Sequence, residues 1–154
     1  MPTDKNILIS AWSRAEGSAK SYPYMQELCD ILAKDYRLIQ IGVGKERRLN
    51  NCEHRFDMPL KDVELALKCA GFFLSIDNFL HHAAHYFGVP GIVIFGPSDP
   101  EIFGYKDQVN IIKDRSLLRK DQFGFYFVDY KWEHSAIGWY PPDFITTMMK
   151  GPNV

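Results

Sequence analysis

The sequence predicts an α/β fold in which a parallel sheet carries helices on both faces, a three-layer α/β/α arrangement. Three observations predict it. Four apolar runs, Ile7 to Ser10, Leu38 to Ile41, Phe72 to Ile76 and Ile92 to Phe95, are near-continuous, as strands buried on both faces are. Stretches with apolar residues at helical spacing separate them. The connections are short and punctuated by Gly or Pro.

In chain order, Ile7 to Ser10 is the first strand and Ala11 to Ser21 a loop of small and polar residues. Pro23 suits a first helical turn, and Tyr24, Leu28, Ile31 and Leu32 recur at helical spacing as far as Asp35. Leu38 to Ile41 is the second strand, closed by Gly42 and Gly44, and His54 to Phe56 a short third. Pro59 opens a helix with Leu60, Val63, Leu67 and Ala70 on one face, and Gly71 ends it. The Phe72 strand leads into a helix from Phe79 to Phe87, ended by Gly88. After the Ile92 strand come a tight Gly96 to Pro100 loop, a strand at Val109 to Ile112 and a closing helix from Pro141 to Met149. Ligands of such sheets bind outside the carboxyl ends of the strands. The loops after Ser10, Ile76 and Phe95 are therefore expected to converge on one cleft.

The 154 residues are sized for one domain over 1–154. A net charge of -1 leaves no basic footprint for nucleic acid or anionic membrane. No apolar stretch approaches the ~20 residues that span a bilayer, and Met1 to Asn6 is too polar for a signal peptide. Cys29, Cys52 and Cys69 are odd in number without CxxC spacing, which argues against a disulfide scaffold or zinc knuckle and points to a reducing cytoplasm. Aromatic residues gather late, at Phe123, Phe125, Tyr126, Phe127, Tyr130, Trp132, Trp139 and Tyr140. That segment reads either as a packed edge or as a protein contact surface.

The most informative stretch runs from Ser75-Ile76-Asp77-Asn78-Phe79 through His81-His82-Ala83-Ala84 to Phe95-Gly96-Pro97-Ser98-Asp99-Pro100. It resembles the signature of glycosyltransferase family 9, the ADP-heptose:lipopolysaccharide heptosyltransferases. There a strand ends in Asp-Ser/Thr-Gly, a helix carries His-Leu-Ala-Ala, and the next strand ends in Phe-Gly-Pro-Thr/Ser-x-Pro. Lys20-Ser21-Tyr22-Pro23 is similar to the family's Lys-x-Trp-Pro element, and Met58-Pro59-Leu60 to its Met-Ser-Leu segment. The resemblance covers about Ile7 to Gly104. It implies a Rossmann-like domain, the nucleotide-sugar-binding half of a GT-B glycosyltransferase. The acceptor-binding half and its catalytic carboxylate would lie elsewhere, in a separate acceptor-domain protein, with a homo-oligomer as the alternative. The implied ligand is a nucleotide diphosphate sugar, an ADP-sugar by resemblance, and no cofactor is implied.

The candidate substrate-binding residues follow from resemblance and position together. Asp77, between a strand and a helix, reads either as the helix N-cap or as a donor-site residue beside exposed helix amides. Lys20 occupies the place of the family lysine that neutralises the diphosphate, and Ser13 that of a loop hydroxyl. His82 aligns with the helix histidine and reads equally as a phosphate contact or a buried structural residue. Glu46, after the second strand, stands where an acid accepts from ribose hydroxyls. Met58 reads as adenine-pocket lining or as core, and Ser98 and Asp99 as site or turn residues. His81 and His85 have i, i+4 spacing, yet no third ligand is evident, so no metal site is expected. Asn78 replaces the family's hydroxyl residue and Phe79 its glycine, which lets backbone approach phosphate. The Phe79 ring would block the diphosphate or stack on a ligand. A non-catalytic nucleotide- or protein-binding module descended from such a domain is the competing function.

Overall fold

The computed structural model describes residues 2, 4–13, 18–123 and 137–151. Six strands form one sheet: β1 (Asn6–Ser10), β2 (Arg37–Gly42), β3 (Glu53–Phe56), β4 (Phe73–Ile76), β5 (Gly91–Ile94) and β6 (Val109–Ile111). Their order is β3-β2-β1-β4-β5-β6, and every pairing is parallel. The chain builds outward from β1 to β3, then returns to the other side of β1 with β4. The strand order thus reverses between β1 and β4, the switch point where such sheets open a crevice. Register sets Leu8 opposite both Ile39 and Phe73 across the central strands.

Successive side chains of a strand point to opposite faces, and each face has its own core. Ile7, Ile9, Leu38, Leu74, Ile76, Ile92 and Ile94 pack under α1 (Met25–Leu32) and α5 (Pro142–Lys150) through Leu28, Leu32, Ile145 and Met149. Leu8, Ile39, Ile41, Phe73 and Val93 pack under α2 (Leu60–Ala70) and α3 (Phe79–Tyr86) through Val63, Leu67, Leu80 and Ala84. Two buried faces explain why the strands read as unbroken apolar runs.

Element ends shift by one to three residues from the sequence expectation. α1 stops at Leu32 rather than Asp35, with Ala33 as its C-cap, and β4 starts at Phe73. Gly71 ends α2 in the left-handed conformation, φ 70°, as expected of a C-cap glycine. The Gly96 to Pro100 loop continues into a one-turn helix the sequence reading did not foresee, α4 (Pro100–Phe103), with Asp99 as N-cap and Pro100 at its start. Trp139 belongs to the core, edge-on to Tyr22, whose hydroxyl donates to the Tyr140 carbonyl at 2.6 Å. Phe123 is exposed, and Phe125, Tyr126, Phe127, Tyr130 and Trp132 lie outside the described residues.

Candidate functional site

At the end of β4 the chain turns into α3 through Asp77 and Asn78. Asp77 does not cap the helix, contrary to one of its two readings. Asn78 is the N-cap, and its Oδ1 accepts from Leu80 N–H at 3.0 Å. Its Nδ2 donates to Ser10 Oγ at 3.0 Å and to the Trp12 carbonyl at 3.1 Å, tying the start of α3 to the end of β1. A Ser or Thr at this position would cap α3 equally well but has no amide to reach β1.

With capping assigned to Asn78, the Asp77 carboxylate is free to turn inward. Lys20 Nζ lies 2.9 Å from Asp77 Oδ2, and His81 Nε2 lies 3.1 Å from Asp77 Oδ1. Burial by itself would raise the Asp77 carboxyl. The His81 hydrogen bond, the charge and hydrogen bond of Lys20, and the Ser98 hydroxyl outweigh burial and hold it well below the usual carboxylate range. Ser98 is fully buried beneath this pair. Asp99 shapes the turn: it caps α4 and receives both Arg115 guanidinium nitrogens, at 2.9 and 2.8 Å.

Beside this charged centre, on the β2 side of Asn78, opens a cavity of about 390 Å³. Ser13, Glu46, Met58, Asn78 and Phe79 line it, together with Ser10, Trp12, Ile41, Gly42, Val43, Arg55 and Val63. Burial raises the Glu46 carboxyl, an effect the Val43 N–H, which it accepts, only partly offsets. A side chain at Gly42 would collide with the Glu46 carboxylate and the Phe56 ring. The loop after β2 is pinned by Asp57, which donates its N–H to the Gly42 carbonyl and accepts Gly44 N–H at 2.8 Å. Buried Gln40 anchors the far end of that loop through the Arg47 carbonyl and Leu49 N–H.

The predicted residues therefore separate into two groups. Ser13, Glu46, Met58 and Asn78 share the cavity, and Lys20, Asp77 and Ser98 share the charged centre. His82 joins neither group directly. It sits on the outer side of α3 with Nδ1 2.7 Å from the Tyr105 hydroxyl. Burial and the neighbouring His81 hold its ring below the ordinary imidazole range. The buried histidine against Asp77 is His81, one residue earlier. Helical spacing carried that signal, since i+4 from Asp77 lies over it and i+5 does not. Trp12, Arg55 and Val43 were not singled out from sequence, where no local pattern marks them.

His85 pairs with Asp107 at 2.9 Å and stacks on Tyr105, so it does not act with His81. Asp77, His81 and His82 do bring ligand-type atoms within 4.8 Å of one another. Lys20 already sits on the sole carboxylate of that group, and a divalent ion there would face an ammonium at close range. The donor set does not fit a metal.

An all-parallel sheet in this order, with its crevice beside the switch point, is a Rossmann-like α/β fold. Solved structures share it. The E. coli heptosyltransferase WaaC with ADP is 22% identical, with a TM-score of 0.59 over 71% of this chain and 38% of that one. E. coli ADP-heptose lps heptosyltransferase II is 18% identical, with a TM-score of 0.59 over 71% of this chain and 39% of its own. A family 9 glycosyl transferase from Veillonella parvula is 17% identical, with a TM-score of 0.57 over 72% and 35%. The fold is thus the one seen in part of these glycosyltransferases, and the chain spans under two-fifths of their length. No protein-family model and no curated protein matches the sequence. No helix among the described residues is long and apolar enough to cross a membrane.

Proposed function

We propose that this chain is the donor-binding half of a GT-B glycosyltransferase of the heptosyltransferase kind, working in the cytoplasm on a nucleotide diphosphate sugar. The single observation that carries the reading is the cavity at the switch point, with Glu46 and Met58 on one wall and the Lys20–Asp77 pair just beyond Asn78. Likeness supports ADP as the nucleotide, since WaaC was solved with ADP. In this reading the apolar wall takes the base and Glu46 accepts from the ribose hydroxyls. Lys20 then faces the diphosphate and stabilises the charge that develops as it departs. The acceptor hydroxyl and the carboxylate that deprotonates it come from a second domain, supplied by another chain or a second copy.

Calorimetry of the purified chain with ADP tests it. Binding that disappears in Lys20→Ala supports a donor site, and absence of any ADP binding rejects it. The chain by itself is expected to transfer no sugar, because GT-B chemistry lies between two domains. Turnover onto an acceptor by this chain alone would overturn the division of labour.

One observation favours the non-catalytic module instead. The Phe79 ring lies at the N-terminus of α3, more than half exposed, and lines the cavity mouth. In that position it competes with a phosphate for the helix amides.

A further inference from the structure

His81 is fully buried, and two groups fix both of its ring nitrogens. Gln108, also buried, approaches it from the segment before β6. Gln108 Nε2 lies 2.6 Å from the His81 carbonyl oxygen, and Gln108 Oε1 lies 3.3 Å from His81 Nδ1. The first contact sets the orientation of the amide, because a carbonyl oxygen accepts only, so the nitrogen of Gln108 must face it. Oε1 is then left toward Nδ1, and an amide oxygen also accepts only. Nδ1 must carry a proton. At the opposite side of the ring, Nε2 faces the Asp77 carboxylate at 3.1 Å, and an ionised carboxylate again only accepts. Nε2 must carry a proton too.

We propose that His81 is a buried imidazolium, set by Gln108, and that by neutralising Asp77 it leaves the Lys20 charge uncompensated for an anionic ligand such as a diphosphate. The arithmetic of charge is simple. Lys20 and Asp77 alone make a neutral pair with nothing left for a ligand. Adding a protonated His81 gives two cations sharing one carboxylate, a net positive centre beside the switch-point cavity. Other polar and titratable groups face this ring: His82, whose ring centroid is 3.9 Å away, and Tyr105, at 5.7 Å. Ser98 bears on the same carboxylate. None of these supplies a second negative charge. His81 acts through Asp77 and Lys20, and is a positioning residue rather than a ligand contact. The inference rests on the donor-site reading only for the class of anion.

Side-chain nitrogen NMR of the full chain without ligand, at pH 7, tests the charge state directly. Both His81 nitrogens are expected to resonate as protonated, the signal being assigned by its loss in His81→Gln. A neutral ring with one bare nitrogen overturns the proposal, whatever the chain binds. Inorganic pyrophosphate is the binding probe. His81→Gln, checked for folding by circular dichroism, is expected to weaken it at least about tenfold, the loss of one charge-assisted interaction. Should that variant not fold, Gln108→Met serves, and it should both strip one ring proton and weaken pyrophosphate binding. Unchanged affinity in a folded variant, or no pyrophosphate binding by the natural sequence, overturns the proposal. Pyrophosphate binding without ADP binding rejects only the nucleotide reading.

Discussion

Asn78 divides one crevice into two regions of opposite physical character. On its β4–β5 side, Lys20 and His81 lie at hydrogen-bond distance from Asp77, with Ser98 buried beside them, and Asp77 is almost fully enclosed. On its β2 side lies an open cavity walled by Ile41, Val43, Met58 and Val63, with Glu46 as the only carboxylate among the described residues that line it. The two acids show the contrast. Both lose solvent, which disfavours their charge, but the His81 hydrogen bond and the Lys20 charge drive Asp77 down, while at Glu46 burial outweighs the Val43 N–H and drives it up. Burial alone does not decide protonation at this sheet edge; partners do. One region can supply charge to a ligand, and the other room and apolar surface.

The sharpest way to break this contrast is Asp77→Ala. It takes the carboxylate away from both Lys20 Nζ and His81 Nε2. Removing one partner of a buried ion pair costs about 3–5 kcal/mol, and a loss of that size in urea unfolding is expected. The sign with pH follows from the depressed carboxyl. Asp77 stabilises the fold above the unfolded value of 3.8, and that contribution erodes only as pH falls through it toward the lower folded value. The Asp77→Ala variant should therefore decline less steeply than the wild type below about pH 4.

Next in size is Asn78→Ala, which removes the α3 cap and the tie to β1. Loss of an N-cap costs about 0.5–2 kcal/mol, and the upper end is expected here because Ser10 and the Trp12 carbonyl lose their donor as well. Asn78→Ser separates the two roles. It should recover the capping part alone, and full recovery would show that the β1 tie contributes nothing.

Phe79→Gly acts on the boundary of the two regions. The ring is 57% exposed, so removing it leaves little cavity, although glycine at a helix start adds a modest backbone cost. Opened to phosphate, the helix amide recovers a charge-assisted hydrogen bond, and ADP affinity should rise by about tenfold or more. Weaker binding in the variant would show instead that the ring stacks on the ligand.

How much of this was legible in the sequence differs between the regions. The sheet was legible because two buried faces leave short apolar runs, set apart from buried helix by the helical patterns and the Gly or Pro between them. The Lys20–Asp77 pairing was reachable through motif order along the chain. The choice of His81 over His82 was signalled by its i+4 spacing from Asp77 alone, and packing against Gln108 completes it. The cavity wall was legible in part: motif and position marked Ser13, Glu46, Met58, Asn78 and Phe79, whereas Trp12, Val43 and Arg55 come from three segments that meet only after the sheet is assembled.

The smallest expected effect belongs to Glu46→Gln. Glu46 is only half-buried, so solvent screens most of its penalty. Its folded carboxyl titrates above the ordinary 4.5, so the folded state holds the proton more tightly than the unfolded chain does. Ionisation of Glu46 therefore costs stability once pH passes the unfolded value, and the cost is complete above the folded one. Glutamine keeps the size and removes the charge. The urea midpoint at pH 7 should rise slightly in Glu46→Gln, and the difference from the natural sequence should vanish as pH falls below 4.5. A lower midpoint at pH 7 would mean that the Val43 N–H contact outweighs desolvation. The same titration followed by ADP affinity sharpens the division of the crevice. If Glu46 accepts from the ribose hydroxyls, affinity should fall on acidification in the natural sequence and stay level in the variant. A fall shared by both would move the titrating group off the cavity wall.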